Sequence, residues 1–250
     1  MGRRKAELET VRDDCEHAGA SQAIAVVGDF TAVEDIVAAR ENIARELSGL
    51  DTLIVAAGVS SLQPLITGVA KAERDADGHF APGAPSKDAV QRVQDVAARA
   101  MTANYVGPLL TAVTFIPMLE LTSKAPAILL IASAASIIPA PTRSLYCSTK
   151  GATLLLYQSL AIEHPRIKFS NVLPATVEGN FRAGAVDAGP VRENLGSALK
   201  KDYVAKECIA SVDSGKTNVI LPISYRAAHA LYWIYPSLVH RFAKNKYNFN

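Results

Sequence analysis

Apolar residues along the chain fall into short runs, separated by longer stretches in which apolar residues recur with helical spacing. A short apolar run bounded by glycine, proline or polar residues is typical of a buried β-strand. The sequence predicts five strands, at Ala23–Val27, Leu53–Ala56, Ala127–Ala132, Ile167–Leu173 and Asn218–Leu221. Pro174 ends the fourth, because proline has no backbone N–H to donate to a neighbouring strand.

The longer stretches predict helices at residues 3–18, 32–47, 88–120 and 143–163. Thr31 is expected to cap the second helix, with Glu34 as its capping-box partner. Residues 69–88 are polar and interrupted by glycine and proline, which indicates a surface insertion. Strands alternating with long helices predict parallel β-α units. We therefore expect one α/β domain over residues 1–250, with a helical tail at 222–250.

Composition excludes several classes of protein. With 49% hydrophobic and 20% charged residues, the 250-residue chain can bury a full core. A net charge of +2, with both signs spread along the chain, argues against nucleic-acid binding. The N-terminal residues are charged, and no apolar run reaches the length of a transmembrane helix. A soluble cytoplasmic protein is expected, peripheral at most at a membrane surface.

Neither a disulfide framework nor a metal site is predicted. The three cysteines, Cys15, Cys147 and Cys208, lack the spacing of zinc ligands and fit a reducing compartment. The five histidines share no ligand spacing. Asp75–Gly78 is similar to the start of a calcium loop, but Ser86 stands where that loop needs a glutamate, so a solvated loop is expected.

Candidate chemistry lies in the second half of the chain. Tyr146 and Lys150 are four residues apart on a predicted helix, so both point to the same face. An ammonium beside a phenol favours the phenolate, so Lys150 is expected to lower the pKa of Tyr146. Ser133 follows a predicted strand, at the carboxyl edge where open α/β sheets bind ligands. Its hydroxyl can hold a substrate oxygen as charge develops there.

Asn104 adds an argument from backbone geometry. In an α-helix its carbonyl would accept a hydrogen bond from residue 108, but Pro108 has no N–H. Gly107 allows the helix to bend there. The carbonyl would then be free to hold a water molecule beside Lys150 that carries protons away from Tyr146. Taken alone, these residues predict only a packing kink, and both interpretations stay open.

With these residues in place, the chain resembles the classical short-chain dehydrogenase/reductase family over nearly its whole length. In that family an Asn, Ser, Tyr and Lys tetrad does the chemistry, and the matching residues are Asn104, Ser133, Tyr146 and Lys150. The resemblance implies a Rossmann-like, doubly wound parallel sheet and a nicotinamide cofactor. It also implies a small-molecule carbonyl or alcohol substrate and a homodimer or homotetramer.

The resemblance also assigns contacts with the cofactor. The matching positions are Asp29, Ala57, Gly58, Lys150, Pro174, Thr176 and Val177. Among them, Asp29 corresponds to the family's contact with the adenine ring and Lys150 to its contact with the ribose. The chain departs from the family where an Asn-Asn-Ala-Gly motif is reduced to Ala57-Gly58 and where Ala175 replaces the glycine of a Pro-Gly turn.

Arg3 and Arg4 occupy the place where many members carry a basic pair that binds the 2′-phosphate of NADP. The resemblance therefore favours NADP(H) over NAD(H). The family's glycine-rich phosphate loop would lie ahead of Arg3, so the sheet is expected to lack the first β-α-β unit. The Ala23–Val27 strand would then be separated from Leu53–Ala56 by an unfilled gap in the sheet. A wrongly assigned start, a truncated variant and a rearranged sheet all explain this pattern.

The tail from Tyr225 to Tyr247 mixes aromatic and basic residues, which suits a peripheral membrane contact, a dimer contact or a lid over the substrate cleft. It is loosely similar to the C-terminal region of the 11-beta-hydroxysteroid dehydrogenase-like branch, which favours a lipophilic substrate. Two functions stay open. One is an NADP(H)-dependent oxidoreductase that interconverts a carbonyl and a secondary alcohol. The other is a non-catalytic relative that acts through protein association, which the lack of a glycine loop favours.

Overall fold

The structure, a computed structural model, describes residues 1–191 and 195–249. Four parallel strands form one sheet in the order β1-β2-β3-β4. They are β1 Thr52–Val55, β2 Ala127–Ile131, β3 Lys168–Pro174 and β4 Asn218–Leu221. The register places Ile128 of β2 opposite both Leu53 and Phe169. Because the strands are parallel, their carboxyl ends meet at one edge, where a ligand site is expected.

Helices connect and cover these strands. They are α1 Lys5–His17, α2 Val33–Leu47, α3 Lys87–Met101, α4 Gly107–Thr122, α5 Ser144–Glu163, α6 Lys201–Ser214, α7 Ser224–Ile234 and α8 Pro236–Tyr247. Short π-helical turns lie at Leu65–Val69 and Thr102–Val106, and 3-10 turns at Ala134–Ser136, Phe181–Gly184 and Leu195–Ser197. The C-terminal tail thus forms two consecutive helices, α7 and α8.

The sheet is covered on both faces, as a doubly wound fold requires. On one face, Ile128 packs in a core with Leu119 of α4 and Tyr157 of α5. On the other face, Leu129 packs in a core with Val204 of α6. Side chains of a strand alternate between faces, so a strand buried on both sides is apolar throughout, as β2 is. The predicted α/β fold is confirmed.

Four of the five predicted strands are confirmed, and the prediction for Ala23–Val27 is wrong. That segment forms only a bridge to Gly2, whose N–H donates to the Val26 carbonyl at 3.1 Å. A strand is stabilised by a ladder of hydrogen bonds, and no described strand lies beside this segment to provide one. Within the described sheet, β1 is therefore an edge strand, and Ile54 is exposed on it.

The start of α2 also differs from the prediction. The residue at its N-terminal boundary is Ala32, which makes no side-chain cap. The hydroxyl and the N–H of Thr31 donate instead to Asp29 Oδ1, at 2.7 and 2.9 Å. The predicted capping box with Glu34 is wrong, because the helix begins one residue later than predicted and the N-cap position is occupied by Ala32, which has no side-chain acceptor.

Helices α3 and α4 join through the π turn at Thr102–Val106. Pro108 follows this turn, and the wider π-helical geometry accommodates a residue that has no N–H to donate. By length and composition alone the joined helix Lys87–Thr122 could cross a membrane, contrary to the expectation from the sequence. Asn104 and Leu119 of this helix are fully buried within the fold, whereas Val113 and Leu121 are exposed.

Candidate active site

A cavity of about 390 Å³ opens at the carboxyl edge of the sheet. The segments that follow β2 and β3 form part of its wall, and α5 and the C-terminal helices form most of the rest. Ser133, Tyr146 and Lys150 all lie on this wall. Three of the four predicted catalytic residues therefore lie at the edge of the sheet where parallel α/β folds bind ligands.

Helix α5 and the end of β2 bring these three side chains together. Tyr146 and Lys150 are buried one turn apart near the start of α5. Lys150 Nζ donates a hydrogen bond to the carbonyl of Ile131, the last residue of β2, at 3.1 Å. Ser133 stands two residues after Ile131, and its hydroxyl lowers the pKa of the Tyr146 phenol by hydrogen bonding. Its Oγ also accepts from the N–H of Ala135 at 3.1 Å, which fixes the hydroxyl in place.

Two opposing effects act on the pKa of Tyr146. Burial of the phenol is the larger effect and raises this pKa, because a buried anion is poorly solvated. The Arg143 guanidinium and the hydrogen bond from Ser133 act in the opposite direction. Because the pKa stays above its ordinary value, Tyr146 is protonated at neutral pH and is able to donate a proton.

Lys150 is 4% exposed, and burial lowers its pKa from 10.5 to about 8. Its ammonium therefore loses its proton in a range where an exposed lysine keeps it. The sequence predicts Lys150 as the cation that lowers the pKa of Tyr146, and this role stays a prediction. In the structure, the cation with the largest effect on that pKa is Arg143.

Arg143 is a site residue that the sequence analysis misses. It is buried on the cavity wall, and its guanidinium carbon lies 4.3 Å from the centroid of the Tyr146 ring. It stands three residues before Tyr146. The helical spacing that pairs Tyr146 with Lys150 is therefore the signal that would have found it.

Asn104 is fully buried in the π turn, where its side chain joins two parts of the fold. Its Oδ1 accepts from the Val59 N–H at 2.8 Å. Its Nδ2 donates to the Val59 carbonyl and to Thr149 Oγ1, both at 3.0 Å. The side chain thereby fixes the loop after β1 against α5.

The backbone carbonyl of Asn104 accepts a hydrogen bond from the hydroxyl of Thr153. The carbonyl is therefore not free as predicted, but a carbonyl has two lone pairs, so the water molecule beside Lys150 stays a prediction. A side chain of α5 supplies the hydrogen bond that Pro108 lacks. A part for Asn104 in proton transfer stays a prediction, whereas its part in fixing the loop after β1 is visible in these contacts.

Gly58 lies in that loop, where only glycine fits. A Cβ at this position would lie 2.8 Å from Asn104 Oδ1 and 3.4 Å from Lys150 Nζ. The first distance is too short for a real Cβ, so the absence of a side chain lets the backbone pass close to both groups. Ala56 lies on the cavity wall, whereas Ala57 is exposed and does not.

The segment after β3 supplies the remaining predicted contacts at this end. Pro174, Thr176 and Val177 lie on the cavity wall. The Thr176 carbonyl accepts from the N–H of Leu199 at 2.8 Å, which anchors the segment. An apolar wall close to the buried Lys150 amine and to the backbone of Gly58 fits the nicotinamide and ribose of a dinucleotide.

The predicted contacts for the other end of the cofactor, Arg3, Arg4 and Asp29, do not line this cavity. Arg3 lies 3.5 Å from Asp29, and Arg4 lies 3.3 Å from Glu7. Hydrogen bonds from Thr31 lower the pKa of Asp29. The part of the chain that the structure describes has no glycine-rich turn at a helix N-terminus to hold a pyrophosphate. The residues present fit the nicotinamide end of a dinucleotide but provide no cradle for its pyrophosphate.

Asp187 is a second residue that the sequence analysis misses. Its buried carboxylate accepts from Ser61 Oγ and from the Leu62 N–H, both at 2.7 Å, and from the Gln63 N–H at 2.8 Å. Its other oxygen accepts from the Gly189 N–H at 3.1 Å. The carboxylate therefore joins the loop after β1 to the loop after β3. No local pattern indicates a contact between residues so far apart in sequence.

The C-terminal helices close the cavity on its outer side. Tyr225 of α7 and Phe242, Lys246 and Tyr247 of α8 lie on the wall. Lys246 Nζ donates to the Tyr225 hydroxyl at 2.9 Å, which joins the two helices. Of the three interpretations of the tail, a lid over the cleft agrees directly with this geometry.

Lys150→Met is expected to stabilise the folded chain at pH 7. A pKa lowered from 10.5 to about 8 means that the buried ammonium destabilises the fold by about 3 kcal/mol below pH 8. An unfolded lysine keeps its proton up to its ordinary pKa, so this destabilisation fades as the pH rises from 8 to 10.5. Urea denaturation at pH 7 and pH 10 measures the difference.

Lys206→Met is the control, because Lys206 is exposed on α6. It should change the free energy of unfolding little at either pH. If Lys150→Met is less stable than the parent chain at pH 7, the hydrogen bond to Ile131 outweighs the cost of burying the charge.

The fold is shared with solved structures of low sequence identity. An alcohol dehydrogenase from the archaeon Thermococcus sibiricus, complexed with 5-hydroxy-NADP, gives a TM-score of 0.66 at 19% identity, over 88% of this chain and 83% of that chain. A short chain dehydrogenase from Burkholderia cenocepacia in complex with NADP also gives 0.66, at 18% identity, over 97% of this chain and 84% of that chain. These likenesses show the fold.

Sequence comparison shows the family. The 11-beta-hydroxysteroid dehydrogenase-like 4A protein of Arabidopsis thaliana is 25% identical over 241 residues, which is 96% of this chain and 72% of that protein. The 11-beta-hydroxysteroid dehydrogenase-like 3 protein of the same plant is 30% identical over 178 residues, 71% of this chain and 50% of that protein. The family model for short chain dehydrogenases matches residues 1–188. The chain therefore belongs to the short-chain dehydrogenase family of NAD(P)-dependent oxidoreductases.

Proposed function

We propose that the chain uses NADP(H) to interconvert a carbonyl and a secondary alcohol on a lipophilic small molecule. One observation carries the proposal. The buried phenol of Tyr146 lines a cavity at the carboxyl edge of the sheet and is hydrogen-bonded to Ser133. A protonated phenol beside a hydroxyl is an arrangement that can bind and protonate a developing alkoxide.

In the direction of reduction, a nicotinamide held against this wall would supply hydride to the substrate carbon. Ser133 holds the substrate oxygen beside Tyr146. The phenol is protonated at neutral pH because burial raises its pKa, and it donates its proton to that oxygen. In the direction of oxidation, the phenolate accepts the proton of the alcohol.

The wall of the cavity supports a lipophilic substrate. Apolar side chains from three parts of the chain line it, including Ile138, Phe181, Val239 and Phe242. The Phe181 ring meets the Tyr146 ring edge-on, with centroids 6.0 Å apart, so an apolar surface borders the reacting position. Apolar walls around a few converging polar groups are typical of small-molecule sites.

A preference for NADP(H) over NAD(H) is supported by Arg3 and Arg4, whose side chains are largely exposed. Guanidinium groups bind phosphate oxygens with paired hydrogen bonds, so an exposed arginine pair suits a 2′-phosphate. Both solved structures of the same fold named above are complexes with an NADP compound.

Tyr146→Phe is expected to lower kcat/KM for carbonyl reduction by about 10²- to 10⁴-fold, because it removes the proton donor and little else. Steady-state kinetics with NADPH and a panel of apolar ketones measures the loss. Tyr203→Phe is the matched control, since Tyr203 is exposed on α6 and does not line the cavity. Turnover that survives Tyr146→Phe would exclude this mechanism.

A second candidate function is a non-catalytic relative that acts through association with a protein partner. It is favoured by one observation, the absence of a glycine-rich phosphate turn from the described residues. Calorimetric titration of the chain with NADPH separates the two candidates. Under the catalytic proposal, micromolar binding should occur and raise Tm, because the ligand binds only the folded state. A folded chain that binds no NADPH would support the second candidate.

The exposed surface of α7 and α8 supports a finer localisation, at the surface of an anionic bilayer. Exposed aromatic and aliphatic side chains lie at the end of α7 and directly after it, among them Trp233, Ile234 and Tyr235. Residues 222–250 carry four arginines and lysines and no aspartate or glutamate. Apolar rings with basic groups and no acidic groups complement an anionic headgroup layer.

Trp233 is the only tryptophan of the chain and is 76% exposed, so its fluorescence reports on this surface. Vesicles of phosphatidylcholine with phosphatidylserine should shift its emission to shorter wavelength and co-sediment with the chain. Vesicles of phosphatidylcholine alone should do so less. Arg241→Glu with Lys244→Glu should abolish the shift, whereas Lys206→Glu on α6 should not. Equal behaviour with both vesicles, with a dimer in size-exclusion chromatography, would assign the surface to a second copy.

A further inference from the structure

Arg143 is almost completely buried beside the reacting phenol. It is 4% exposed, stands immediately before α5 and lies on the cavity wall. Its guanidinium carbon is 4.3 Å from the centroid of the Tyr146 ring. A cation at this distance over an aromatic face is attracted by the ring, and more strongly when both groups are shielded from water.

The backbone before α5 directs Arg143 to this position. Its N–H donates to the Ala140 carbonyl at 3.3 Å, which closes a tight turn through Pro141 and Thr142. Thr142 has a φ of 63°, in the left-handed region that β-branched residues rarely adopt. Such strain persists only where the surrounding structure holds it, and it concentrates at functional sites. The chain thus keeps a costly turn at the residue before Arg143.

The other charged and titratable groups around Tyr146 act less strongly on it. Arg182, on the turn at Phe181–Gly184, favours the phenolate least, and Cys147 on α5 opposes it. Lys150 lies on the same helix, but its Nζ bonds the Ile131 carbonyl and its pKa is lowered to about 8. A guanidinium keeps its charge throughout the alkaline range in which that lysine becomes neutral.

We propose that Arg143 is a positioning residue for Tyr146: its guanidinium covers one face of the phenol ring, fixes the ring in the cavity and stabilises the phenolate. The catalytic consequence rests on the proposed function, in which Tyr146 exchanges a proton with the substrate. The stabilisation of the phenolate by Arg143 does not rest on the proposed function, because it concerns only the ionisation of Tyr146. Arg143 supplies the permanent charge that a lysine with a lowered pKa supplies only in part.

The test labels the chain with 3-fluorotyrosine and follows the ionisation of its eight tyrosines by ¹⁹F NMR. Fluorination makes the phenol more acidic, which brings the titration of a buried tyrosine into a range that the fold tolerates. The signal of Tyr146 is the one missing from Tyr146→Phe. Arg143→Met should move its midpoint upward by on the order of 1 pH unit, and Arg143→Lys should restore most of that shift.

Controls separate this effect from a loss of structure. The other seven tyrosine signals should keep their midpoints, and Arg182→Met should move Tyr146 less than Arg143→Met does, because Arg182 has the weaker effect. If Arg143→Met does not fold, Arg143→Gln replaces it, with the same expectation. An unchanged Tyr146 midpoint in the folded variant would overturn the proposal.

A second readout concerns catalysis. In alcohol oxidation, Arg143→Met should move the acidic limb of the pH–kcat profile to higher pH, because the base loses its proton less readily, and Arg143→Lys should move it back. Failure of the proposed function would abolish turnover in the parent chain and leave the NMR shift intact. Failure of the present proposal would leave both the NMR midpoint and the pH profile unchanged by Arg143→Met.

Discussion

A row of hydroxyl groups on one face of α5 fixes the centre of this molecule. Thr149 accepts from the side chain of Asn104, Thr153 donates to the backbone carbonyl of Asn104, and Tyr157 donates to the carbonyl of Pro108 at 2.8 Å. The three recur at the spacing of one helical turn and meet the π turn where the long helix loses a regular hydrogen bond. An irregular stretch of backbone in the core is thereby satisfied, and α5 is locked in rotation and along its axis. Tyr146 and Lys150 lie on the same helix, so their positions depend on these three hydrogen bonds.

Burial is the second constraint, and it acts on stability and chemistry in opposite directions. The buried phenol of Tyr146 and the buried amine of Lys150 are harder to ionise than in water, so the fold disfavours the charged forms of both groups. Hydrogen bonds to Ser133 and to the end of β2 offset part of this cost. The same dryness strengthens the attraction between a phenolate and a guanidinium. The site therefore lies where burial most disfavours ionisation of Tyr146 and Lys150, and where a charge, once formed, interacts most strongly with its neighbours.

What the sequence predicts correctly here is local and periodic. Four apolar runs became strands because helices cover both faces of the sheet, and Tyr146 and Lys150 face one cavity because they are one helical turn apart. The errors arise where a partner distant in sequence decides. Ala23–Val27 has the composition of a strand, but no described strand lies beside it to supply a ladder of hydrogen bonds. The carbonyl of Asn104 is bonded by a threonine side chain, which no rule about proline in a helix anticipates. Helical spacing from Tyr146 could have predicted Arg143 as a site residue, whereas no local pattern indicates the contacts of Asp187.

Asp187 joins the two sides of the cleft, so that the conformation of one loop affects the conformation of the other. One carboxylate gathers three donors from the loop that leads from Gly58 and a fourth from the loop that follows β3. Ordering either loop therefore removes part of the conformational entropy that ordering the other would otherwise cost. For a molecule that binds against the first loop and one that binds under the second, any coupling is reciprocal, so each changes the affinity of the other by the same factor. The order in which the two molecules enter the cleft is then a matter of kinetics, and the buried carboxylate is one of the contacts through which each changes the affinity of the other.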